Sequence, residues 1–376
     1  MNELLVVAGE ASGDRAAAAV VAALGGRDRV RTFGLGGGAL EAQGVELLGD
    51  LRDSTALGLT DVATRACAIR KAYMSVARAA RKRKTRVALL VNYTEFNTLL
   101  AARLHARGVR VLWYGAPQIW AWREGRAAPL RRTVDRMAVM LPFEEALWRE
   151  RGLDAHYVGH PASEATSLDR TAAREAMGLT PYARAVAILP GSRPHEVERL
   201  LEPMLEAYER VRNDRASIDG RILLAPSLDE RTRARAIAIA AKAEVETVDI
   251  DARVGVAPCL RAFDAALCAS GTAALEAALA RAVPVVVYRV DVLTELAARR
   301  LLRTPHIALP NVLLGRAVFP ELVQRNAQPK KIAQALARVL DGRTALVRAC
   351  DDVERVLGSR RTPSRDVARM LEPWLA

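Results

Sequence analysis

From Leu4 onward, short apolar runs alternate with stretches of helical periodicity through most of the 376 residues. Strands buried on both faces read as continuous apolar runs and need helical crossovers between them, so this alternation is the signature of parallel βαβ units. In the first half the runs predict strands at Leu4–Ala8, Arg31–Leu35, Val87–Val91, Val109–Trp113, Arg136–Val139 and Ala155–Val158. Pro161 and the polar stretch Ala162–Asp169 then read as a linker. A second series follows at Ala185–Leu189, Arg221–Leu224, Glu246–Val248, Ala265–Cys268, Val283–Tyr288 and His306–Ala308. A chain this long is expected to split into more than one core. The pattern therefore predicts an α/β protein of two Rossmann-like, doubly wound domains facing a cleft, at 1–165 and 170–345. The remainder, 346–376, reads as helical with breaks near Gly358 and Pro363, and is expected to pack back on the first domain.

Hydrophobic residues make up 51% of the chain but aromatic residues only 5%, so Leu, Val and Ala are expected to fill the cores. No uncharged apolar stretch approaches the length of a membrane-spanning helix. The start, Met1-Asn2-Glu3-Leu4, has neither a basic region nor a cleavage site, which points to a cytoplasmic protein. Cys67, Cys259, Cys268 and Cys350 lack paired spacing and read as reduced thiols rather than disulfides or a zinc site. The net charge of +13 favours anionic partners: nucleic acid, acidic lipid surfaces or phosphorylated substrates.

One basic cluster is local. Between Thr64 and Arg83 the apolar residues Ala66, Ile69, Tyr73, Val76, Ala77 and Ala80 recur at helical spacing, while Arg65, Arg70, Lys71, Arg78, Arg81, Lys82, Arg83 and Lys84 supply cations. Such a helix either lies on an anionic membrane surface or packs on a core with a solvated basic face, and periodicity alone does not separate the two. Apart from Tyr73, which belongs to the apolar stripe, no aromatic residue interleaves with the charges, so nucleic acid is not an expected partner.

Three loops carry the chemistry. The first strand empties into Gly9-Glu10-Ala11-Ser12-Gly13-Asp14, ahead of an Ala-rich helix. In an open parallel sheet the carboxyl end of a strand is where ligands bind, and small residues there admit close approach. Glu10 and Asp14 suit acid–base work or hydroxyl recognition; equally, Asp14 could cap the helix and Glu10 be merely solvated. In the second half, a strand ends at Leu189 and Pro190-Gly191-Ser192-Arg193 leads into a helix, placing an Arg to fork onto phosphate oxygens with backbone N–H groups in support. Ser270-Gly271-Thr272 likewise opens a helix after a strand, and Glu276 lies one turn in, where it could accept from ribose hydroxyls. Ser and Thr are ordinary N-caps, but two such segments in one domain point to a nucleotide-diphosphate site.

Gly9–Asp14, Gln118-Ile119-Trp120-Ala121-Trp122-Arg123, Leu141-Pro142-Phe143-Glu144, Gly159-His160-Pro161, Leu189–Arg193, Ala269–Glu276 and Leu309-Pro310-Asn311 occur in an order that resembles the lipid-A-disaccharide synthase family over essentially the whole chain. The resemblance implies an inverting, metal-independent glycosyltransferase of family 19 with the GT-B arrangement and no cofactor. Members move 2,3-diacylglucosamine from its UDP derivative to the 6-hydroxyl of 2,3-diacylglucosamine 1-phosphate, giving lipid A disaccharide 1-phosphate and UDP. The implied partners are a UDP-linked acyl-sugar donor, an acyl-sugar phosphate acceptor and an anionic membrane surface, with a homodimer as an expected assembly. Family members are peripheral proteins on the cytoplasmic face of the Gram-negative inner membrane.

The resemblance places Gly191, Ser192, Arg193, Ser270, Gly271, Thr272, Glu276 and Asn311 on the nucleotide side, with Asn311 holding the nucleotide or closing the cleft. Ser12, Asp14, Asn97, Gln118, Trp120, Trp122 and His160 are expected on the substrate side; the two tryptophans read as an acyl-sugar platform or as packing, and His160 as a structural hydrogen-bonder or a catalytic group. After the Val87–Val91 strand the chain departs from the family. It reads Asn92-Tyr93-Thr94-Glu95-Phe96-Asn97, with Asn92 where the family carries Asp and Thr94 where it carries Pro. An amide can hydrogen-bond a sugar but takes no proton at neutral pH. Ala56–Asp61 matches a Met-Gly-x-x-Glu stretch only loosely. Candidate catalytic residues are thus Glu10, Asn92, Glu95 and Asp61. Alternatives stay open: a divergent relative acting on another acyl-sugar acceptor, a non-catalytic nucleotide-sugar or lipid-binding homologue, or a UDP-sugar 2-epimerase of the same two-domain plan.

Overall fold

A computed structural model describes residues 3–26, 29–50, 62–122, 124–164, 168–215, 217–291, 303–358 and 361–376. The chain divides into two compact units, Met1–Glu164 with Arg360–Ala376, and Ala165–Ser359.

The first unit holds strands β1 (Glu3–Ala8), β2 (Arg31–Gly36), β3 (Glu46–Asp50), β4 (Val87–Val91), β5 (Arg110–Tyr114), β6 (Arg136–Val139) and β7 (Ala155–Tyr157). Its helices are α1 (Ala11–Ala23), α2 (Gly38–Ala42), α3 (Val62–Lys82), α4 (Thr94–His105), α5 (Ala127–Arg131) and α6 (Pro142–Arg149). The strands form one all-parallel sheet in the order β3-β2-β1-β4-β5-β6-β7. Winding reverses between β1 and β4, which makes the loops after those two strands the switch point where open α/β sheets bind ligands. The apolar run of β1 is buried on both faces, with Leu5 and Val7 in one core layer and Leu4, Val6 and Ala8 in the other. Alternation along a strand sends successive side chains to opposite faces, which explains why no polar residue interrupts the run.

The second unit holds α7 (Arg170–Ala176), β8 (Arg184–Leu189), α8 (Pro194–Asn213), β9 (Ile218–Leu224), α9 (Glu230–Lys242), β10 (Glu246–Asp249), α10 (Ala257–Leu260), β11 (Ala265–Ala269), α11 (Thr272–Leu279), β12 (Val283–Tyr288), α12 (Leu309–Leu314), β13 (Glu321–Val323), α13 (Pro329–Asp341) and α14 (Arg343–Leu357). Its parallel sheet runs β10-β9-β8-β11-β12-β13, so its switch point lies between β8 and β11. The last helix, α15 (Pro363–Leu375), belongs to the first unit, where Val367, Ala368 and Leu371 join the core layer of β1 and α1. Residues 346–376 therefore do not act as one segment: Gly358 ends α14 in the left-handed region, α14 stays with the second unit, and Pro363 starts α15.

Two strands escaped the sequence pattern. β3 is short and half-buried at a sheet edge, and β13 is a three-residue edge strand. His306–Ala308, expected as a strand, is a loop. The N–H groups of Ile307 and Ala308 donate to the Glu321 carboxylate at 3.0 and 3.2 Å instead of joining a ladder, and β13 begins at Glu321 itself.

Helix α3 packs on the first unit along its apolar stripe. Val76 and Ala80 are buried in the core of the first unit, with Ile69 and Tyr73 packed against it, so the apolar stripe is committed to the fold. Arg70, Lys71, Arg78, Arg81 and Lys82 form an exposed basic face. Among the described residues, no helix is long and apolar enough to cross a membrane.

Candidate active site

In the first unit the switch-point loops pack directly on one another. β4 ends in Asn92 and Tyr93, both left-handed with φ of 50° and 47°, a conformation that short polar residues such as Asn tolerate and most others avoid. Asn97, fully buried on α4, donates from Nδ2 to the carbonyls of Val91 at 3.3 Å and Asn92 at 2.9 Å, which fixes this turn. Asn97 therefore positions Asn92 from beneath, rather than offering its amide outward as a substrate-side residue.

The Asn92 amide lies between two glycines. A Cβ at Gly13 would meet Asn92 Nδ2 at 3.4 Å, and one at Gly115, where φ is +80°, would meet Oδ1 at 2.1 Å. Gly115 follows β5, so the ends of three adjacent strands converge on one side chain. Gly9 leaves room for Tyr93, whose ring stacks on Phe96 with centroids 4.9 Å apart. Glu10 N-caps α1 in an extended conformation, and its side chain is exposed. Ser12 lies half-buried in the first turn.

Asp14 has a different role from the one expected. It is 3% exposed, and its carboxylate accepts from the N–H groups of Gly37 at 2.7 Å, Ala39 at 2.9 Å and Leu40 at 3.4 Å. It thus clasps the start of α2 to α1. A buried carboxylate held by three backbone donors is a structural anchor, and these donors belong to the start of α2 rather than to its own helix.

After β5, Gln118 is exposed and the two tryptophans are half-buried. Trp120 Nε1 donates to Glu144 Oε1 at 3.0 Å and meets the Phe143 ring edge-on at 5.3 Å. Glu144 Oε2 accepts from the Leu141 N–H at 3.1 Å, closing the first turn of α6. Burial pushes the Glu144 carboxyl up to about 7, against the pull of these hydrogen bonds. Trp122 lies under the Arg126 guanidinium, 4.8 Å from its carbon, and Arg126 also pairs with Glu95. Glu95 and Trp122 are thereby brought to one cation, although they lie far apart in sequence. Asp61, the remaining catalytic candidate, lies outside the described residues, as do the rest of Ala56–Asp61 and Arg123. His160 is 6% exposed; its Nδ1 accepts from the Ala162 N–H at 3.1 Å, and burial lowers its pKa to about 4. It is a neutral cap of the turn Pro161–Ser163.

In the second unit, Gly191 (φ +123°) ends β8 and lets Glu196 fold back: a Cβ there would meet Glu196 Oε2 at 2.4 Å. That oxygen accepts from the N–H groups of Ser192 at 3.0 Å and Arg193 at 3.3 Å. The two amides expected to support a phosphate are thus occupied by Glu196. The Arg193 guanidinium, half-exposed and 3.5 Å from Glu196 Oε1, is what the loop presents. α11 is the open helix start. Gly271 N-caps it without a side-chain cap bond, and no atom of the described residues stands within 4 Å of where its Cβ would be. Thr272 is half-buried and Glu276 9% exposed in the following turns. Ser270 Oγ donates instead to Ile307 O at 3.0 Å.

Asn311 departs from expectation. It is fully buried, its Nδ2 donates to Phe319 O at 2.8 Å and Glu321 Oε1 at 2.7 Å, and its Oδ1 accepts from the N–H groups of Val318 and Phe319. An amide with both donors and both acceptor sites filled by protein has nothing left for a nucleotide. Glu144 and Glu196 each stand three residues after a helix N-cap, the spacing of a capping box and the one sequence signal of their roles. Gly115 and Arg126 carry no comparable signal.

Solved structures with this architecture share little sequence. The chain is similar to MnaA of S. aureus, solved with UDP (TM-score 0.67, 10% identity, 100% of this chain and 97% of that one). It also resembles the spinosyn rhamnosyltransferase SpnG (TM-score 0.58, 14% identity, 99% and 100%). Two all-parallel sheets, each with ligand-type loops at its switch point, define a GT-B fold. The family described as Lipid-A-disaccharide synthetase matches residues 4–370. Lipid-A-disaccharide synthases of Myxococcus xanthus (44% identity, 89% of this chain and 87% of that one) and Anaeromyxobacter dehalogenans (40%, 98% and 97%) are similar along nearly the whole length. The chain belongs to the lipid-A-disaccharide synthase family and is a glycosyltransferase of the hexosyl-transferring kind, in lipid A biosynthesis.

Proposed function

We propose that this enzyme moves 2,3-diacylglucosamine from its UDP derivative to the 6-hydroxyl of 2,3-diacylglucosamine 1-phosphate, with inversion at the anomeric carbon. The acceptor oxygen attacks that carbon, the bond to the UDP oxygen breaks, and UDP leaves with the electron pair. The hydroxyl proton passes to a carboxylate. Glu10 is the first choice, because it is exposed beside the loop that packs on Asn92. Glu95, held by Arg126, and Asp61 are the other carboxylates proposed for the step. Asn92 orients the acceptor sugar, and Gln118, Trp120 and Trp122 border its acyl groups.

On the donor side, Arg193 and the uncapped start of α11 at Gly271 and Thr272 stabilise the charge that develops on the diphosphate. Glu276 is proposed for the ribose hydroxyls. Acylated substrates bring the enzyme to the anionic cytoplasmic face of the inner membrane as a peripheral protein, and the exposed cations of α3 suit that surface.

The observation that carries this reading is the convergence of Gly13, Gly115 and Asn92, which presents one polar amide at a glycine-walled switch point. Incubating purified protein with both substrates, and following disaccharide and UDP, tests it. Release of both in equal amounts is expected. UDP binding with no disaccharide would instead support the non-catalytic homologue, and turnover with only a different acyl-sugar acceptor would support the divergent relative.

A further inference from the structure

We propose that the first unit carries a second anion site, at the end of its sheet remote from Asn92, built for a ligand with clustered phosphate oxyanions. A cavity of about 660 Å³ opens there, lined by Arg81, Lys84, Arg86, Arg107, Arg110 and Trp374 among others. The chain brings these together from separate places. Arg81 is in the last turn of α3 and Lys84 just beyond it; Arg86 precedes β4; Arg107 follows α4; Arg110 opens β5; and Trp374 lies at the end of α15. Arg86 is six residues from Asn92, along a strand that rises about 3.3 Å per residue, so roughly 20 Å separates this site from the acceptor loop.

No Asp or Glu among the described residues lines the cavity. Among the described residues, none of the five cations is held by a carboxylate, whereas the neighbouring Arg83 is paired with both Glu3 and Glu46. Helix dipoles account for Arg81 and Arg107, which sit at the C-terminal ends of α3 and α4. Lys84, two residues past α3 as Arg107 is past α4, shares that account; Arg86 and Arg110 do not, and all five cations are exposed and so open to an anion from solvent. Arg110 and Arg136 flank the Trp374 ring at 5.7 and 5.0 Å, which holds the indole at the rim. The volume falls in the range of small-molecule sites and exceeds what one phosphate fills, so several oxyanion groups fit. A soluble polyphosphorylated molecule and the headgroups of an acidic lipid share this chemistry.

This site does not depend on the transferase reading, and two probes separate its sources. Inorganic pyrophosphate is titrated against Trp374 emission, with Trp374→Phe showing that the signal is local. Vesicles of phosphatidylglycerol in phosphatidylcholine are tested by co-sedimentation, with pure phosphatidylcholine as blank. Binding of at least one probe is expected. Arg107→Glu/Arg110→Glu should weaken it at least tenfold with an unchanged thermal melt, whereas Arg193→Ala should retain it. Should charge reversal unfold the unit, Arg107→Gln/Arg110→Gln gives the reading instead. Pyrophosphate binding alone assigns a soluble ligand, and vesicle binding alone a lipid headgroup. If the native protein binds neither, or if the folded double variant binds as tightly as the native protein, the site is not there.

Discussion

Trp120 Nε1 donates to Glu144 Oε1 across 3.0 Å, tying the aromatic loop after β5 to the first turn of α6. The acceptor is a carboxyl that burial raises from 4.5 to about 7. Its folded-state value lies above its unfolded one, so its stability is complete below pH 4.5 and is lost as pH rises through 7, a change of about 3 kcal/mol. His160, in the same unit, works the other way. Burial lowers it from 6.5 to about 4, so its stability is present above pH 6.5 and lost as pH falls through 4, again by about 3 kcal/mol. Between pH 4.5 and 6.5 the two slopes oppose each other. Relative to the native protein, Glu144→Gln should therefore make Tm climb more steeply with pH in this window. His160→Asn, which keeps an acceptor for the Ala162 N–H, should make it fall. Thermal melts at half-unit pH steps would measure both, and parallel curves for all three proteins would refute the assignment.

Asn92 supplies the second prediction. Asp is nearly isosteric with Asn and shares its tolerance of the left-handed region, so Asn92→Asp should fit between Gly13 and Gly115 without strain. A positioned general base contributes about 10²–10⁴-fold to a proton transfer. If the acceptor proton is now taken by a less well placed carboxylate, Asn92→Asp should raise kcat by about tenfold or more with little change in KM. Gly115→Ala should act oppositely, since its Cβ would meet Asn92 Oδ1 at 2.1 Å and push the amide aside. Unchanged kcat in both variants would remove Asn92 from the site.

The sheets were legible in the sequence because strands buried on both faces leave unbroken apolar runs, as Leu4–Ala8 and Val283–Tyr288 do. β3 and β13 were not, because edge strands covered on one side carry no such run. The position of the ligand loops was legible for the same reason, each directly following a clear strand. Roles within the loops were less so. Asp14 and Asn311 are polar residues in motif positions, but their partners, Gly37 to Leu40 and Val318 to Glu321, come from elsewhere in the chain. Whether a polar side chain faces a ligand or a backbone is decided by tertiary neighbours that sequence spacing does not record.

Asp14 gives a stability prediction. Asp14→Asn replaces one acceptor oxygen by a donor that faces backbone N–H groups, leaving at least one buried donor unsatisfied at a cost of about 1–3 kcal/mol. The loss should show as a lower Tm for the first unit. Affinity for UDP, proposed to reside in the second unit, should not change. A variant that melts like the native protein but has lost acceptor binding would restore Asp14 to the substrate side.

Arg193 and Glu196 should act as one device. Arg193→Ala removes a half-exposed guanidinium proposed to contact the diphosphate, and should weaken UDP binding by about 10- to 100-fold, the scale of one charged hydrogen bond. Glu196→Ala touches no ligand in this reading, but it frees the N–H groups of Ser192 and Arg193 and lets the Gly191 turn relax. It should therefore lower UDP affinity through Arg193. Because both variants disable the same contact, their effects should be less than additive, with a coupling of at least about 1 kcal/mol in a double-mutant cycle by calorimetry. Strict additivity would mean that Glu196 supports the fold alone, and that the loop holds Arg193 without its help.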